Sequence, residues 1–274
     1  MPELDALADF VNRHARVLVL TGAGISTASG IPDYRDRDGK RRGNPPVQGP
    51  DFRKSAAVRK RYWARSMAGY PMLAGAAPNA AHVALAQLQA AGRLGALLTQ
   101  NVDGLHQRAG SIDVLELHGN IHQVVCLDCH ATFARSLIQR QLELANPALA
   151  DATALPLPDG DAHVEPDALE SFELPWCVHC NGTLKPDVVF FGDGVAAERA
   201  AAALGMMEGA DALLVAGSSL MVYSGFRFCR LAAEAGKPIA AVNLGKTRAD
   251  ELLSLKIEQS AELMLPGLAT RLIG

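Results

Sequence analysis

The sequence predicts an α/β protein, a Rossmann-like doubly wound parallel sheet with a smaller lobe inserted into it, and three observations carry that prediction. Four short apolar runs, RVLVL (Arg16–Leu20), GALLT (Gly95–Thr99), DALLVAG (Asp211–Gly217) and PIAAV (Pro238–Val242), each pass at once into small or polar residues. Helix-like stretches such as 80–91 and 196–208 lie between them, and strands alternating with helices build a sheet covered on both faces. Two segments break the alternation. Asp36–Pro78 is basic, then helical, with Pro45, Pro46, Gly69, Pro71 and Gly75 as expected breakers, and Cys126–Gly192 carries two cysteine pairs and the Pro- and Asp-rich LPLPDGDAHVEPD. The expected division is 1–36, 79–118 and 193–274 for the sheet domain, 37–78 for a helical insertion and 119–192 for a cysteine-bearing one. The two insertions should pack together as a small lobe over the ligand edge of the sheet.

Composition sets the bounds. A chain of 274 residues that is 49% hydrophobic can bury a sizeable core. Its net charge of −3, from 26 Lys plus Arg against 29 Asp plus Glu, gives no electrostatic reason to expect nucleic acid or an anionic membrane as partner. The run RDRDGKRRG (Arg35–Gly43), taken alone, is expected to be a solvated face or a mobile loop. The opening MPELDALADFVNRHARV has acidic residues and no apolar h-region, which predicts a cytoplasmic location without a signal or transit peptide. No apolar run reaches the roughly 18–20 residues that span a bilayer.

The first strand runs into TGAGISTASGIPDYRD (Thr21–Asp36). Gly22 and Gly24 would let backbone approach a diphosphate, but Thr27 stands where a dinucleotide fingerprint has its third glycine, and no acidic residue closes a second strand to clamp a ribose. A hydride-transfer enzyme is therefore disfavoured. The second run ends in TQNVDGLH (Thr99–His106), whose Gln100, Asn101 and Asp103 can fix amides and hydroxyls or serve as a capped turn. A further short strand precedes His118 in VLELHGNIH; His118 and His122 have the spacing of a helical zinc-protease site, but Gly119 and Asn120 replace the glutamate it needs. A histidine at a strand end is instead placed as a general base. Gly217–Ser219 (GSS) can present N–H groups and hydroxyls to a phosphate, and Asn243 can reach a ribose or adenine.

Four of the five cysteines form two CxxC pairs, Cys126/Cys129 and Cys177/Cys180, with 47 residues between the pairs. Four thiolates complete a tetrahedral zinc site and leave no open position, so one structural zinc is expected. Neither pair opens a helix after a strand, as a redox dithiol would. Cys229 reads as a small buried hydrophobe.

Taken together, GAGIS…SGIPDYR, TQNVDGLH, the LHG around His118, the CxxC pairs, GTLKPDVVFFGD (Gly182–Asp193), GSSL (Gly217–Leu220) and NLG (Asn243–Gly245) resemble the sirtuins, from about Arg16 to the C-terminus. The class II branch, with the fourth human sirtuin and bacterial relatives, is most similar through RYWAR (Arg61–Arg65), CLDC, LPDGD (157–161), LKPDVVFFGD and VYSGF. The resemblance implies a protein-lysine deacylase, deacetylase type, that consumes NAD, passes the acyl group to ADP-ribose and releases nicotinamide. Its implied partners are acyl-lysine proteins or peptides, and a monomer is expected. In that mapping His118 and Asn101 are catalytic. Gly22, Ala23, Gly24 and Ser26 line the diphosphate and ribose side, Asp33 and Tyr34 the nicotinamide end, and Arg35 reaches phosphate. Gln100, Asn101 and Val102 hold the ribose and Asp103 the carboxamide. Gly217, Ser218 and Ser219 take phosphate and the adenosine ribose, with Asn243, Leu244, Gly245 and Ala261 around adenine. Val189, Phe190, Phe191 and Gly192 match the strand that pairs with substrate backbone.

Two departures from the commonest sirtuin pattern are Tyr34, where many members have Phe, and Ser224, where many have Pro. Tyr62 and Arg65 share the Tyr-x-x-Arg spacing of desuccinylating sirtuins, which implies binding of acidic acyl groups such as glutaryl or methylglutaryl. Part of Leu155–Glu173 is expected to fold toward the acyl channel. The alternatives are mono-ADP-ribosyl transfer to protein and a non-catalytic NAD or ADP-ribose binding module.

Overall fold

The computed structural model describes residues 1–42, 45–150, 156–157, 161–162 and 167–274. Positions 158–160 of LPDGD, and 155 and 163–166 elsewhere in the Leu155–Glu173 segment, lie outside the described residues. In chain order the elements are α1 (Pro2–Asn12), β1 (Val17–Thr21), α2 (Gly49–Lys54), α3 (Ala56–Gly75), α4 (Ala80–Ala90), β2 (Leu97–Thr99), α5 (Leu105–Arg108), β3 (Val114–Glu116), β4 (Gly119–Cys126), β5 (Thr132–Ala134) and α6 (Arg135–Ala145). They continue with α7 (Pro147–Ala150), β6 (Pro156–Leu157), β7 (Asp161–Ala162), α8 (Asp167–Glu170), β8 (Leu184–Val188), α9 (Ala197–Gly209), β9 (Ala212–Ala216), α10 (Tyr223–Glu234), β10 (Ile239–Val242), β11 (Leu255–Ile257) and α11 (Ala261–Ile273).

Six strands form one parallel sheet in the order β3-β2-β1-β9-β10-β11. The order runs outward in both directions from the β1/β9 pair, which makes that junction the switch point where open α/β sheets bind ligands. Every residue of β1 is buried, and the strand's alternation splits it between two cores. Val17 and Val19 pack with α1, α4 and α11 through Leu7, Leu85 and Leu265, while Leu18 and Leu20 pack with α9 and α10 through Met207 and Phe228. Burying each such side chain is worth about 1.5–3 kcal/mol, so continuous apolar strands buried on both faces are what this sheet requires.

The small lobe carries a three-stranded antiparallel sheet, β5-β4-β8. Its core joins Phe52, Trp63 and Met67 of α2 and α3 to Val124, Ile138, Phe172 and Leu184. Its strands fall in 119–188 and those of the parallel sheet in 17–116 and 212–257.

Three expectations need correction. Gly69 and Pro71 do not break α3, which runs through both and ends at Gly75. Pro71 has no N–H for the Met67 carbonyl, and the Gln139 side chain donates to that carbonyl instead, at 2.9 Å, so the backbone loss is repaired across the lobe. Segment 189–192 is not a continuous strand: β8 ends at Val188, the Val189 N–H donates to the His118 carbonyl at 2.8 Å, and Phe191 forms an isolated parallel bridge with Gln48. The basic run after Tyr34 is not simply a solvated face, because Arg35, Arg37, Arg41 and Arg42 all border the cavity described next.

Candidate active site and cysteine cluster

A cavity of about 1120 Å³ lies where the carboxyl ends of β1, β2 and β9 meet the small lobe. Its sheet side is lined by Gly22, Ala23, Gly24, Ser26, Gln100, Asn101, Val102, Asp103, Gly217, Ser218, Ser219, Asn243 and Leu244, its roof by Asp33, Tyr34 and Arg35, and its lobe side by Tyr62, Arg65, Val189, Phe190 and Phe191, with His118 between. Gly192, Gly245 and Ala261 are not in the lining. Gly245, at φ +82°, is packed on the Arg37 backbone, and Ala261 belongs to the core beneath α11.

Close backbone approach explains the glycines. The Gly24 N–H donates to the Gly217 carbonyl at 2.8 Å, and a Cβ on Gly24 would fall 2.8 Å from that oxygen. Gly217 itself has φ +63°, a left-handed conformation glycine adopts without cost. The two strand-end loops can therefore touch and offer N–H groups to one ligand. The first turn of α10, Tyr223 and Ser224, also borders the cavity and the helix begins without a side-chain cap. Uncapped N–H groups and the positive end of the helix dipole suit a diphosphate.

His118 is held by both ring nitrogens. A carbonyl can only accept, so the 2.9 Å contact to the Gln100 carbonyl places the proton on Nδ1. Nε2 then carries the lone pair and accepts from the Ser224 hydroxyl at 2.7 Å. Burial lowers the pKa of His118; the Gln100 hydrogen bond works against that and the charge of Arg199 adds to it. The ring is a neutral base with its lone pair toward the cavity.

Behind the base lies a buried polar network. The Ser26 hydroxyl donates to Asp103 Oδ2 at 2.7 Å and accepts from Asn101 Nδ2 at 3.0 Å, while Asp103 Oδ1 takes the Leu105 N–H. The His82 ring reaches Ser26 at 3.5 Å and accepts the Asn79 N–H at Nδ1. His106 contacts the Thr21 hydroxyl, which donates to Thr99, and Thr99 accepts the Asn101 N–H. Burial lowers the pKa of His82 to about 4 and of His106 to about 3, so both are neutral hydrogen-bonding groups at neutral pH. Neither histidine is singled out by the sequence: His82 sits inside α4 with no motif around it, and His106 only closes TQNVDGLH, on α5. Ser224 was visible only as a departure from the commonest family pattern, and its contact with His118 links residues 106 positions apart.

The four cysteine sulfurs lie within 4.8 Å of one another, with Cys126 to Cys180 at 3.6 Å and Cys129 to Cys177 at 3.7 Å. Tetrahedral zinc with Zn–S bonds of about 2.3 Å sets sulfurs about 3.8 Å apart, whereas a disulfide is about 2 Å long. The two turns share one backbone form: His130 and Asn181 are left-handed, at φ +61° and +57°, and each donates its N–H to the carbonyl of the first cysteine of its pair. Donor set, spacing and matched turns fit one four-thiolate zinc that pins β4 to the loop before β8.

The Sir2 family model matches residues 22–224. The chain is 53% identical over 275 aligned positions to an NAD-dependent protein deacetylase 3 of Pseudomonas syringae pv. tomato, covering 99% of this chain and 98% of that protein. It is 51% identical to an NAD-dependent protein deacetylase of Bordetella bronchiseptica, covering 97% of each. Among solved structures it superimposes on a Sir2 with a p53 peptide and NAD+ (TM-score 0.77, 29% identity, 98% of each chain) and on a Sir2 bound to acetylated peptide (TM-score 0.77, 28% identity, 98% of each). A parallel sheet with its cavity at the switch point, an oriented histidine, a four-cysteine cluster and a family match over most of the length lead to one conclusion: the chain belongs to the Sir2 family.

Proposed function

We infer that the chain is an NAD-dependent protein-lysine deacetylase, and the observation that carries this is His118, neutral, fixed in one tautomer and presenting Nε2 to a cavity lined by three strand-end loops. The deacetylase names of the bacterial relatives and the peptide and NAD+ in the solved neighbours support the same reading.

When bound, NAD supplies an activated ribose whose bond to nicotinamide breaks as the acyl oxygen attacks. Every other requirement falls on the protein. Gly24 and Gly217, whose N–H groups go to the Gly217 and Val242 carbonyls, bring the two loops together, so that Gly22 and Ser218 can offer N–H groups to the diphosphate, and Gln100 and Asn101 face the ribose. Asn101 is pre-aimed, because its Nδ2 is committed to the Gly22 carbonyl and Ser26, which directs its side-chain oxygen elsewhere. Asp103, held by Ser26 and Leu105, presents a fixed carboxylate toward a carboxamide. Such preorganised dipoles stabilise charge that develops on the ribose without reorganising. His118 takes a ribose hydroxyl proton at Nε2, once Ser224 yields that lone pair, and the Nδ1–H contact with Gln100 stabilises the imidazolium that forms. The acyl-lysine enters from the lobe side, between Val189–Phe191 and Tyr62. A ribose hydroxyl takes the acyl carbon, one water supplies the oxygen that replaces the one left on the ribose, and the lysine amine leaves protonated, so the products are free lysine, nicotinamide and O-acyl-ADP-ribose. The four-cysteine zinc holds the lobe that forms this wall and has no open position for chemistry.

The test is an acetyl-lysine peptide with and without NAD, read by mass spectrometry. Deacetylation that requires NAD, and that His118→Ala abolishes while zinc content and thermal unfolding stay at wild-type values, supports the reading. Transfer of ADP-ribose to protein without loss of acetyl groups would overturn it in favour of ADP-ribosyl transfer.

A further inference from the structure

Arg135 is the first residue of α6 and is fully buried. Its Nη2 donates to the carbonyl and hydroxyl of Ser66 at 3.3 and 3.2 Å, and its guanidinium stacks over Tyr70 at 4.4 Å and Trp63 at 5.3 Å. Nε and Nη1 have no hydrogen-bond partner, and among the described residues no carboxylate forms an ion pair with it, the charge of Glu143 acting on it without contact. A buried cation without an anion in contact is costly, and removing or neutralising it is the usual outcome. Here even burial lowers the pKa only to about 10, so the charge persists. Its place in the fold deepens the imbalance: α6 starts without a side-chain cap, so the positive end of the helix dipole lies beside the positive guanidinium.

Ser66 connects this charge to the cavity. It lies one residue after Arg65 and four after Tyr62 on α3, and it lines the cavity although only 4% exposed. Its oxygen accepts from Arg135, and no described group accepts its own proton. A hydroxyl polarised by a guanidinium is a strong donor, and Ser66 borders a cavity that Tyr62, Arg65, Val188 and Phe190 also line. We propose that Ser66 and Arg135 together form a subsite for a carboxylate carried at the end of the acyl chain. The ligand meets the Ser66 hydroxyl directly, with the unpaired charge of Arg135 behind it. This inference rests on the deacylase reading above and names the acyl class that its lobe side accepts.

The test uses one peptide bearing acetyl-lysine, glutaryl-lysine or the uncharged glutaramide analogue, with NAD, in wild type, Arg135→Met, Arg135→Lys and Ser66→Ala. The readout is the ratio of kcat/KM for glutaryl over glutaramide, with acetyl turnover and thermal unfolding as checks on folding. Wild type should favour the acid by about tenfold or more, the gain of a charge-assisted over a neutral hydrogen bond. Arg135→Met should abolish that preference, Arg135→Lys should keep part of it, and Ser66→Ala should reduce it several-fold. Should Arg135→Met not fold, the lysine and Ser66 variants decide. A wild type that deacetylates but does not distinguish acid from amide, or folded variants with unchanged ratios, would overturn the subsite alone and leave Arg135 as a packing residue. A wild type that turns over none of the three peptides would overturn the deacylase reading and the subsite with it.

Discussion

Ser224→Ala removes one atom from the site and changes the chemistry of the base in a direction that can be worked out. In the structure the Ser224 hydroxyl donates to the lone pair of His118 Nε2 at 2.7 Å, so it stabilises the neutral ring alone. A hydrogen bond between neutral groups contributes a net of about 1 kcal/mol, which corresponds to a factor of about 5. Burial already lowers the pKa of His118, and because a donor to Nε2 favours the neutral ring, losing the Ser224 contact should raise it. The base acts deprotonated, so its activity is present above its pKa and lost as pH falls through it. The variant therefore moves the acid limb of kcat/KM to higher pH, and at a fixed pH on that limb the rate is about fivefold lower. On the plateau the rate is equal or higher, because the ribose hydroxyl no longer competes with Ser224 for the lone pair. The assay is nicotinamide release at subsaturating NAD and saturating acetyl-peptide across the acid limb. A limb that stays in place, or moves to lower pH, refutes the assigned tautomer and donor.

Other perturbations reach different parts of the account. Gly24→Ala puts a Cβ 2.8 Å from the Gly217 carbonyl oxygen; forcing the loops apart costs about 1–3 kcal/mol, so Tm should fall by about 2–4 °C per kcal/mol and the KM for NAD should rise, whereas an unchanged KM would contradict the diphosphate assignment. Cys177→Ser should lose the single zinc per chain and the hydrogen-exchange protection of β4 and β8 before that of β1 and β9; a variant that keeps a full equivalent of zinc contradicts the four-thiolate site. Arg65 lines the cavity beside Tyr62, and Arg65→Ala should lower the ratio of glutaryl to acetyl turnover several-fold; an unchanged ratio removes it from acyl recognition.

How much of this was legible in the sequence depended on whether the interaction was local. RVLVL, DALLVAG and PIAAV are continuous apolar runs because their strands are buried on both faces, and the polar residues after them mark the ligand edge without any knowledge of pairing. The CxxC pairs announce their chemistry because two ligands come from each tight turn. β11 was hidden, since its three residues Leu255–Ile257 include a lysine and make no periodic signal. Pro71 misled because the repair of its missing hydrogen bond comes from Gln139, on another helix. The segment 189–192 was read as a substrate-pairing strand from the family resemblance, which carries no information on pairing within the chain: β8 ends at Val188, and the Val189 N–H donates to the His118 carbonyl beside the Gly119–Val188 pair. The same holds for Arg135, whose sequence context is an ordinary amphipathic helix and whose unpaired burial appears only when α3 and α6 come together.

The central claim is that breaking NAD and removing the acyl group are one coupled event at His118. The most direct test is the stoichiometry of products from a single reaction of acetyl-lysine peptide and NAD, resolved by mass spectrometry. The account predicts free-lysine peptide, nicotinamide and O-acetyl-ADP-ribose in equal amounts. Nicotinamide released with plain ADP-ribose while the peptide stays acetylated, or ADP-ribose attached to the peptide, would contradict it.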